Sequence, residues 1–407
     1  MKILIIGKVW PEPHSSAAGK RMKQLIGLLS EYGDITFACA NTFTGHEAKQ
    51  AELGVNYRHI QLNDDSFDDF LREINPDIVV FDRFLTEEQY GWRVLETCPN
   101  AIRILNTEDL HFLRKTRQKL AKGTHDVVKD VSITDFDNDD TLRELASIYR
   151  CDSTLIISPY EMKLLQKTFQ VPGELLFYLP IIAESNQETQ MQFEKRKDYL
   201  FIGNFLHEPN LDAFRVLRKS IWPAIRRQLP EANLRIVGAY PTQEVRDAHQ
   251  QEGIIVEGHL DDLYPIYNQV RVALVPLRFG AGVKGKIIEA MEYGVPFVTT
   301  SIGQEGLWLE NNWDDLVCDD WQQFADTAVQ IYQSRERCEQ LRQLGLEHLR
   351  NRFNRTEWKN EFDIYFKSLV ENLNSERQNR FYSKLIQHHS LQSTKYLSKW
   401  IMEKNKS

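Results

Sequence analysis

Short apolar runs rich in β-branched residues recur along this chain with helical patterns between them, and that alternation constrains the fold more than any other feature. The first run, KILIIG (2–7), has no polar alternation and reads as a strand buried on both faces. A polar loop follows, KVWPEPHSSAAG (8–19), and then a helix in which Met22, Leu25, Ile26 and Leu29 share one face. Further runs stand at Ile35–Ala38, Ile78–Phe81, Ile102–Leu105 and Thr154–Ile157. Strand and helix in such alternation predict a parallel sheet wrapped by helices. Residues 122–140 are acidic and weakly periodic, which suits a mobile loop or the start of a solvated helix.

The series then starts again. Glu184 to Lys197 is polar and almost free of apolar residues, as a linker would be. Beyond it, YLFIG (199–203) opens a second set of runs at Leu234–Val237, Ile254–Val256, Val272–Pro276 and Pro296–Thr299. A chain of 407 residues is also too long for one compact core. The expected fold class is therefore α/β, with two doubly wound Rossmann-like domains, 1–184 and 198–350, and a cleft between them. A helix at 351–374 is expected to cross back to the first domain, followed by a basic helical extension at 375–407. Sheets of this type bind ligands beyond the carboxyl ends of their strands.

Charge and cysteine use narrow the function classes. A net charge of −8 argues against nucleic acid as a partner, because a phosphate backbone asks for a broad basic face. Five scattered cysteines without metal-type spacing fit a reducing compartment better than a disulfide framework. The apolar run at Ile3–Gly7 is too short for a signal sequence or a membrane span, so a cytoplasmic protein is expected. The tail differs from the rest: residues 375–407 hold seven Lys/Arg and two Glu. In it Phe381, Tyr382, Leu385 and Ile386 are echoed by Tyr396, Leu397, Trp400 and Ile401, with Arg380, Lys384, Lys395 and Lys399 between them. Packing on the first domain or on a partner chain is the expected use of this stripe, with peripheral contact at the inner membrane face as the alternative.

The most informative stretch is LVPLRFGAGVKGKIIEAMEYGVPFVTT (274–300). A buried strand ends at Pro276, and a loop with Arg278, Gly280, Gly282 and Gly285 leads into a helix that begins near Lys284–Lys286 and stops at Gly294. Glycines let backbone N–H groups approach an anion, and a helix N-terminus adds partial positive charge. Lys284 and Lys286 supply full charges for a diphosphate, and Glu289, one turn in, is placed to accept from a ribose diol. The spacing is not that of a P-loop. Asn204 and His207, after the strand at 199–203, either face the same ligand or cap the next helix. In the first half, His14, Ser15, Ser16, Ala17, Ala18 and Gly19 lie where the first strand meets the cleft, with Ser16 and Gly19 as candidate contacts. NTEDLHFLR (106–114) follows another strand, so Glu108, Asp109, His111 and Arg114 reach toward the cleft, with His111 the candidate for the donor sugar or an acceptor hydroxyl.

The glycine loop resembles the donor-site segment of retaining GT-B glycosyltransferases in the glycosyl transferases group 1 family. The resemblance extends through FIGNFLHEPNLDA (201–213), LRIVGAYP (234–241), GHLDDLYPIYNQVRVALVPLR (258–278) and SIGQEGL (301–307), in the family's order. It implies sugar transfer from a UDP- or GDP-linked donor to a glycan, lipid-linked sugar or protein acceptor. The transfer would retain anomeric configuration and need neither a catalytic metal nor a cofactor. It also implies that the first domain serves the acceptor and the second the donor. In the family's Glu-x7-Glu pattern the second glutamate aligns with Glu289, while the first falls on Ala281. Backbone amides of Gly280–Gly282, or Glu305, are the expected substitutes. The catalytic set is then His111, Lys286 and Glu289. Ala281 also keeps open a catalytically silent nucleotide-sugar-binding or scaffold protein, and a sugar-nucleotide epimerase is a further alternative.

Overall fold

A computed structural model describes residues 1–43, 45, 47–183, 193–307 and 311–405. Most of the expected linker (184–192) and the last two residues of the tail lie outside the described residues. The first sheet contains β1 (Lys2–Gly7), β2 (Asp34–Cys39), β3 (Asn56–His59), β4 (Ile78–Asp82), β5 (Ile102–Asn106), β6 (Ser153–Ile156) and β7 (Leu176–Tyr178). Their spatial order is β3-β2-β1-β4-β5-β6-β7, and every pairing is parallel. The second sheet, also parallel, contains β8 (Tyr199–Ile202), β9 (Leu234–Val237), β10 (Ile254–Gly258), β11 (Val272–Val275) and β12 (Phe297–Thr299), in the order β10-β9-β8-β11-β12.

Two doubly wound parallel sheets with a helical C-terminal region are the expected fold class. Central strands follow the reasoning from apolar runs: Ile3, Leu4, Ile5 and Ile6 are all fully buried, with Ile3 paired to Ile35 on one side and Ile78 on the other. Two strands did not stand out in the sequence. β3 (NYRH) is a mostly exposed edge strand with no apolar run, and β7 is only three residues long. The acidic stretch at 122–140 resolves into irregular chain and a short 3₁₀ turn at Ile133–Phe136. The helix Asp139–Arg150 follows, its N-terminus capped by Asn138, which accepts from Thr141 N–H at 3.1 Å.

The C-terminal helices return to the first sheet. Helix Arg355–Asn379 buries Phe362 and Phe366 there, and the Phe366 and Tyr32 rings lie 4.0 Å apart. Arg377 then grips Asp152 with two bonds (2.8 and 2.6 Å) and donates to the carbonyls of Pro99 and Ala101. The last helix, Phe381–Asn405, lies on helices Phe84–Thr97 and Asp139–Arg150.

Candidate functional site

Each sheet reverses direction of winding beside its first strand, at β1/β4 in one and β8/β11 in the other, and the helix after β1 meets the helix after β11, where Lys20 pairs with Glu289. The loop after β11 carries the glycines. Gly282 has φ +65°, and a Cβ there would lie 3.0 Å from Asp109 Cβ and 3.2 Å from Glu108 O, so glycine is required by conformation and by space. The loop is thus pressed against the segment after β5. The helix Gly285–Glu292 follows, and a Cβ on Gly285 would meet Ala17 Cβ at 3.0 Å. The small residues at 17–19 therefore admit the start of the helix Gly285–Glu292.

The predicted cations are placed as follows. Lys284 is buried and donates to the carbonyls of Gly282 (2.9 Å) and Ala281 (3.2 Å); burial lowers its pKa, with Glu305 opposing. Lys286 donates to Asn210 Oδ1 (2.7 Å), and its ammonium lies 5.1 Å from the Phe201 ring centroid. Burial, helped by neighbouring Lys284, brings its pKa down to about 7. A bound anion would draw the proton back. Arg278 stands apart: it pairs with Asp212 (2.5 and 2.9 Å) and donates to the carbonyls of Ala121 and Thr124, bracing the rim of the cleft.

Glu289 is buried, accepts from Tyr267 OH at 3.0 Å, and is paired with Lys20 from the helix after β1. Glu305 is held by the guanidinium of Arg117 through two bonds (2.6 and 2.7 Å). Arg117 also donates to Gly280 O (2.9 Å) and Tyr160 OH (3.1 Å) and is itself fully buried. Glu161, on helix Pro159–Lys167, accepts through one oxygen from Leu110 N–H (2.9 Å) and from Gly282 N–H (2.8 Å). Its second oxygen is buried with no hydrogen-bond partner among the described residues. Burial, reinforced by the Asp109 charge, raises the Glu161 pKa to about 7. A carboxylate therefore already rests on the glycine-loop amide that the sequence suggested for an anion.

Across the cleft, His111 begins helix His111–Ala121 and is buried, 3.5 Å from Asp109 and edge-on to Phe84. Burial lowers its pKa to about 3 despite Asp109, so the imidazole is neutral. Asp109 is bound to Arg114 at 2.6 Å; burial opposes its charge, but Arg114 and His111 outweigh burial and hold its pKa low. Glu108 takes a left-handed backbone (φ +61°) and accepts from Asn106 at 2.7 Å; burial lifts its pKa to about 7. His207, at the N-cap of helix Glu208–Val216, reaches solvent at the mouth of the cleft. The surrounding protein nonetheless lowers its pKa to about 4, with Arg114 adding to the effect.

The remaining candidates have local partners. Ser16 caps helix Ala17–Leu29, accepting from Gly19 N–H at 3.0 Å, and a Cβ on Gly19 would strike Glu12 O. Asn204 turns back to accept from Leu206 N–H at 2.9 Å. The structure thus gathers Gly280, Gly282, Lys284, Lys286, Glu289, Glu305 and His111 around one cleft, and leaves Ser16, Gly19, Asn204 and Arg278 shaping its walls. Lys20, Arg117, Glu161 and Tyr267 escaped sequence reasoning. Arg117 sits in HFLRKTRQKLA, where four Lys/Arg resemble a solvated helix face. Lys20, one residue beyond Gly19, was the nearest to being found.

Residues 196–334 match the family model described as glycosyl transferases group 1. No curated protein sequence matches the chain. Among solved structures, sucrose-phosphate synthase from Thermosynechococcus elongatus superposes with a TM-score of 0.67 at 14% identity, covering 91% of this chain and 99% of its own. HepE from Anabaena, solved in complex with UDP-glucose, gives 0.65 at 12% identity, covering 92% and 100%. The lipopolysaccharide outer core galactosyltransferase WaaB gives 0.54 at 13%, covering 90% and 99%. The fold shared with them is GT-B.

Proposed function

We propose that this chain, which has the GT-B fold and belongs over residues 196–334 to the glycosyl transferases group 1 family, transfers a sugar from a nucleotide diphosphate to an acceptor hydroxyl. One observation carries this reading. The glycine loop, Lys286 and the Glu289–Tyr267 pair lie together at the switch point of the second sheet, opposite His111, inside the matched family segment. Glu289 is assigned to the ribose hydroxyls, which would take the place of Lys20. Lys286 and Lys284 are assigned to the diphosphate. As the glycosidic bond breaks, negative charge grows on the departing diphosphate, and a buried ammonium there stabilises it more than water does. Neutral His111 is suited to a hydrogen bond with the donor sugar or the acceptor hydroxyl. We assign retention of configuration and no catalytic metal, the diphosphate being neutralised by lysines.

HepE's complex with UDP-glucose supports a UDP-linked donor, with GDP-linked sugars the other choice. WaaB's role in the lipopolysaccharide outer core supports a place in cell-surface polysaccharide or glycoconjugate synthesis, with a glycan, lipid-linked sugar or protein as acceptor. Nucleotide release from a panel of UDP- and GDP-sugars, with and without acceptors, tests the reading. Turnover that depends on acceptor and is lost in Lys286→Ala supports it. Tight nucleotide-sugar binding with no turnover on any acceptor would favour a silent binding protein, the reading that Ala281 keeps in view.

A further inference from the structure

The final helix, Phe381–Asn405, has one face on the protein and an opposite face that no described residue covers. Ser383 and Ser398 are buried, Gln387 donates to Arg150 O at 3.1 Å, and Met402 sulfur lies 3.0 Å from an Arg93 nitrogen. At the helical repeat these residues fall on one side, and Phe381, Leu385, Tyr396, Tyr382 and Trp400 fall on the other. That outer side is open: Phe381 is 70% exposed, Tyr382 71%, Tyr396 62% and Trp400 60%. Single exposed apolar residues are ordinary, but six large ones with Leu397, aligned opposite the seat of the same helix, form a stripe that asks for a partner.

We propose that this stripe docks the protein on an anionic membrane surface. Exposed Lys399 and exposed Lys404 stand on its two edges, the Lys404 ammonium 5.3 Å from the Trp400 ring centroid, and a single exposed carboxylate, Glu403, falls in line with Leu385. Aromatic and leucine side chains between lysines match the boundary between headgroups and acyl chains. A second copy of the chain is the poorer occupant, because a symmetric pairing through the stripe would bring the same lysine edges together. The surplus of acidic residues elsewhere does not prevent docking, since at physiological salt charges beyond about 8 Å are largely screened. The helix lies on the membrane and does not cross it: no described helix is long and apolar enough to span a bilayer. This surface does not depend on the sugar-transfer reading, although it would bring a lipid-linked acceptor near the cleft.

Co-sedimentation of the full chain with phosphatidylcholine vesicles, alone or mixed with phosphatidylglycerol, tests the proposal. Binding is expected to the mixed vesicles, weakening as salt is added. The triple substitution Tyr396→Ser, Leu397→Ser, Trp400→Ser and the double substitution Lys399→Glu, Lys404→Glu are each expected to reduce it about tenfold or more. Both variants should keep the melting temperature of the parent, because the altered side chains point away from the protein. Failure of the intact chain to bind mixed vesicles overturns the proposal. Equal binding by either variant does the same. So does a concentration-dependent dimer that is abolished by the triple substitution in a chain that ignores vesicles.

Discussion

Replacing Arg117 with alanine should separate the closing of the cleft from the stability of its halves. The guanidinium is fully buried and makes four contacts, two to Glu305, one to Gly280 O and one to Tyr160 OH. Burial works against its charge, and Glu305 more than restores it. Truncation leaves the Glu305 carboxylate and the Gly280 carbonyl without their donor, and breaking a buried pair in this way costs about 3–5 kcal/mol. Arg117 and Tyr160 belong to the first sheet's helices, whereas Glu305 and Gly280 belong to loops of the second. The loss therefore falls on the juxtaposition of the two, which is relieved by parting, and neither core is breached. The expected outcome is a more open particle by small-angle scattering, a melting temperature close to that of the parent, and turnover reduced by roughly two to three orders of magnitude. The double variant Arg117→Ala, Glu305→Ala should recover part of that loss, since it removes the stranded carboxylate. Parental turnover and dimensions in Arg117→Ala would falsify the reasoning, and so would a collapse of the melting temperature that the double variant does not relieve.

Four further outcomes are expected. Because the Lys286 pKa is near 7 in the unliganded protein, a nucleoside diphosphate must bring in a proton above that pH. Calorimetry should then show affinity falling as pH rises from about 7, by up to tenfold per unit, and no such slope in Lys286→Met. The same depression means that the unfolded chain holds the extra proton between pH 7 and the ordinary lysine value, so unliganded stability should rise with pH across that window. Glu289→Gln should weaken nucleoside diphosphate binding by about 1–2 kcal/mol, as one charged acceptor becomes a neutral amide; an unchanged dissociation constant would make Glu289 purely a partner of Tyr267 and Lys20. His111 does not titrate near neutrality, so any limb in the turnover profile between pH 5 and 8 should persist in His111→Gln, while His111→Ala should lower turnover more than nucleotide affinity.

What could be read from the sequence follows what each feature depends on. Buried central strands announce themselves because burial on both faces demands an unbroken apolar run, as in KILIIG; β3, exposed at an edge, carries no such demand. The glycine loop after β11 was legible because its glycines, lysines and Glu289 are close in sequence. The contacts that close the cleft were not, because they join distant segments: Lys20 to Glu289, Glu161 to Gly282, Arg117 to Glu305. Nothing in a helix reading PYEMKLLQK marks its glutamate for burial, since polar residues on a surface helix look alike until the second half of the molecule is set against them. The tail stripe was visible as periodicity, yet which of its faces meets the protein was decided by Ser383 and Ser398, small polar residues that a hydrophobic pattern passes over.

The chain passes between its halves twice, once over Leu179–Ala183 and once from Phe353 onward, and Ala183 N–H donates to Phe353 O at 3.0 Å. Two covalent tethers fastened side by side act as the spine of a book. They leave the covers free to swing and oppose sliding of one cover over the other. Phe353 is fully buried in the second core, and Phe362, nine residues on, is buried in the first, so the spine is glued on both sides. Any motion that admits a ligand then hinges at this edge, and the ligand enters from the opposite one.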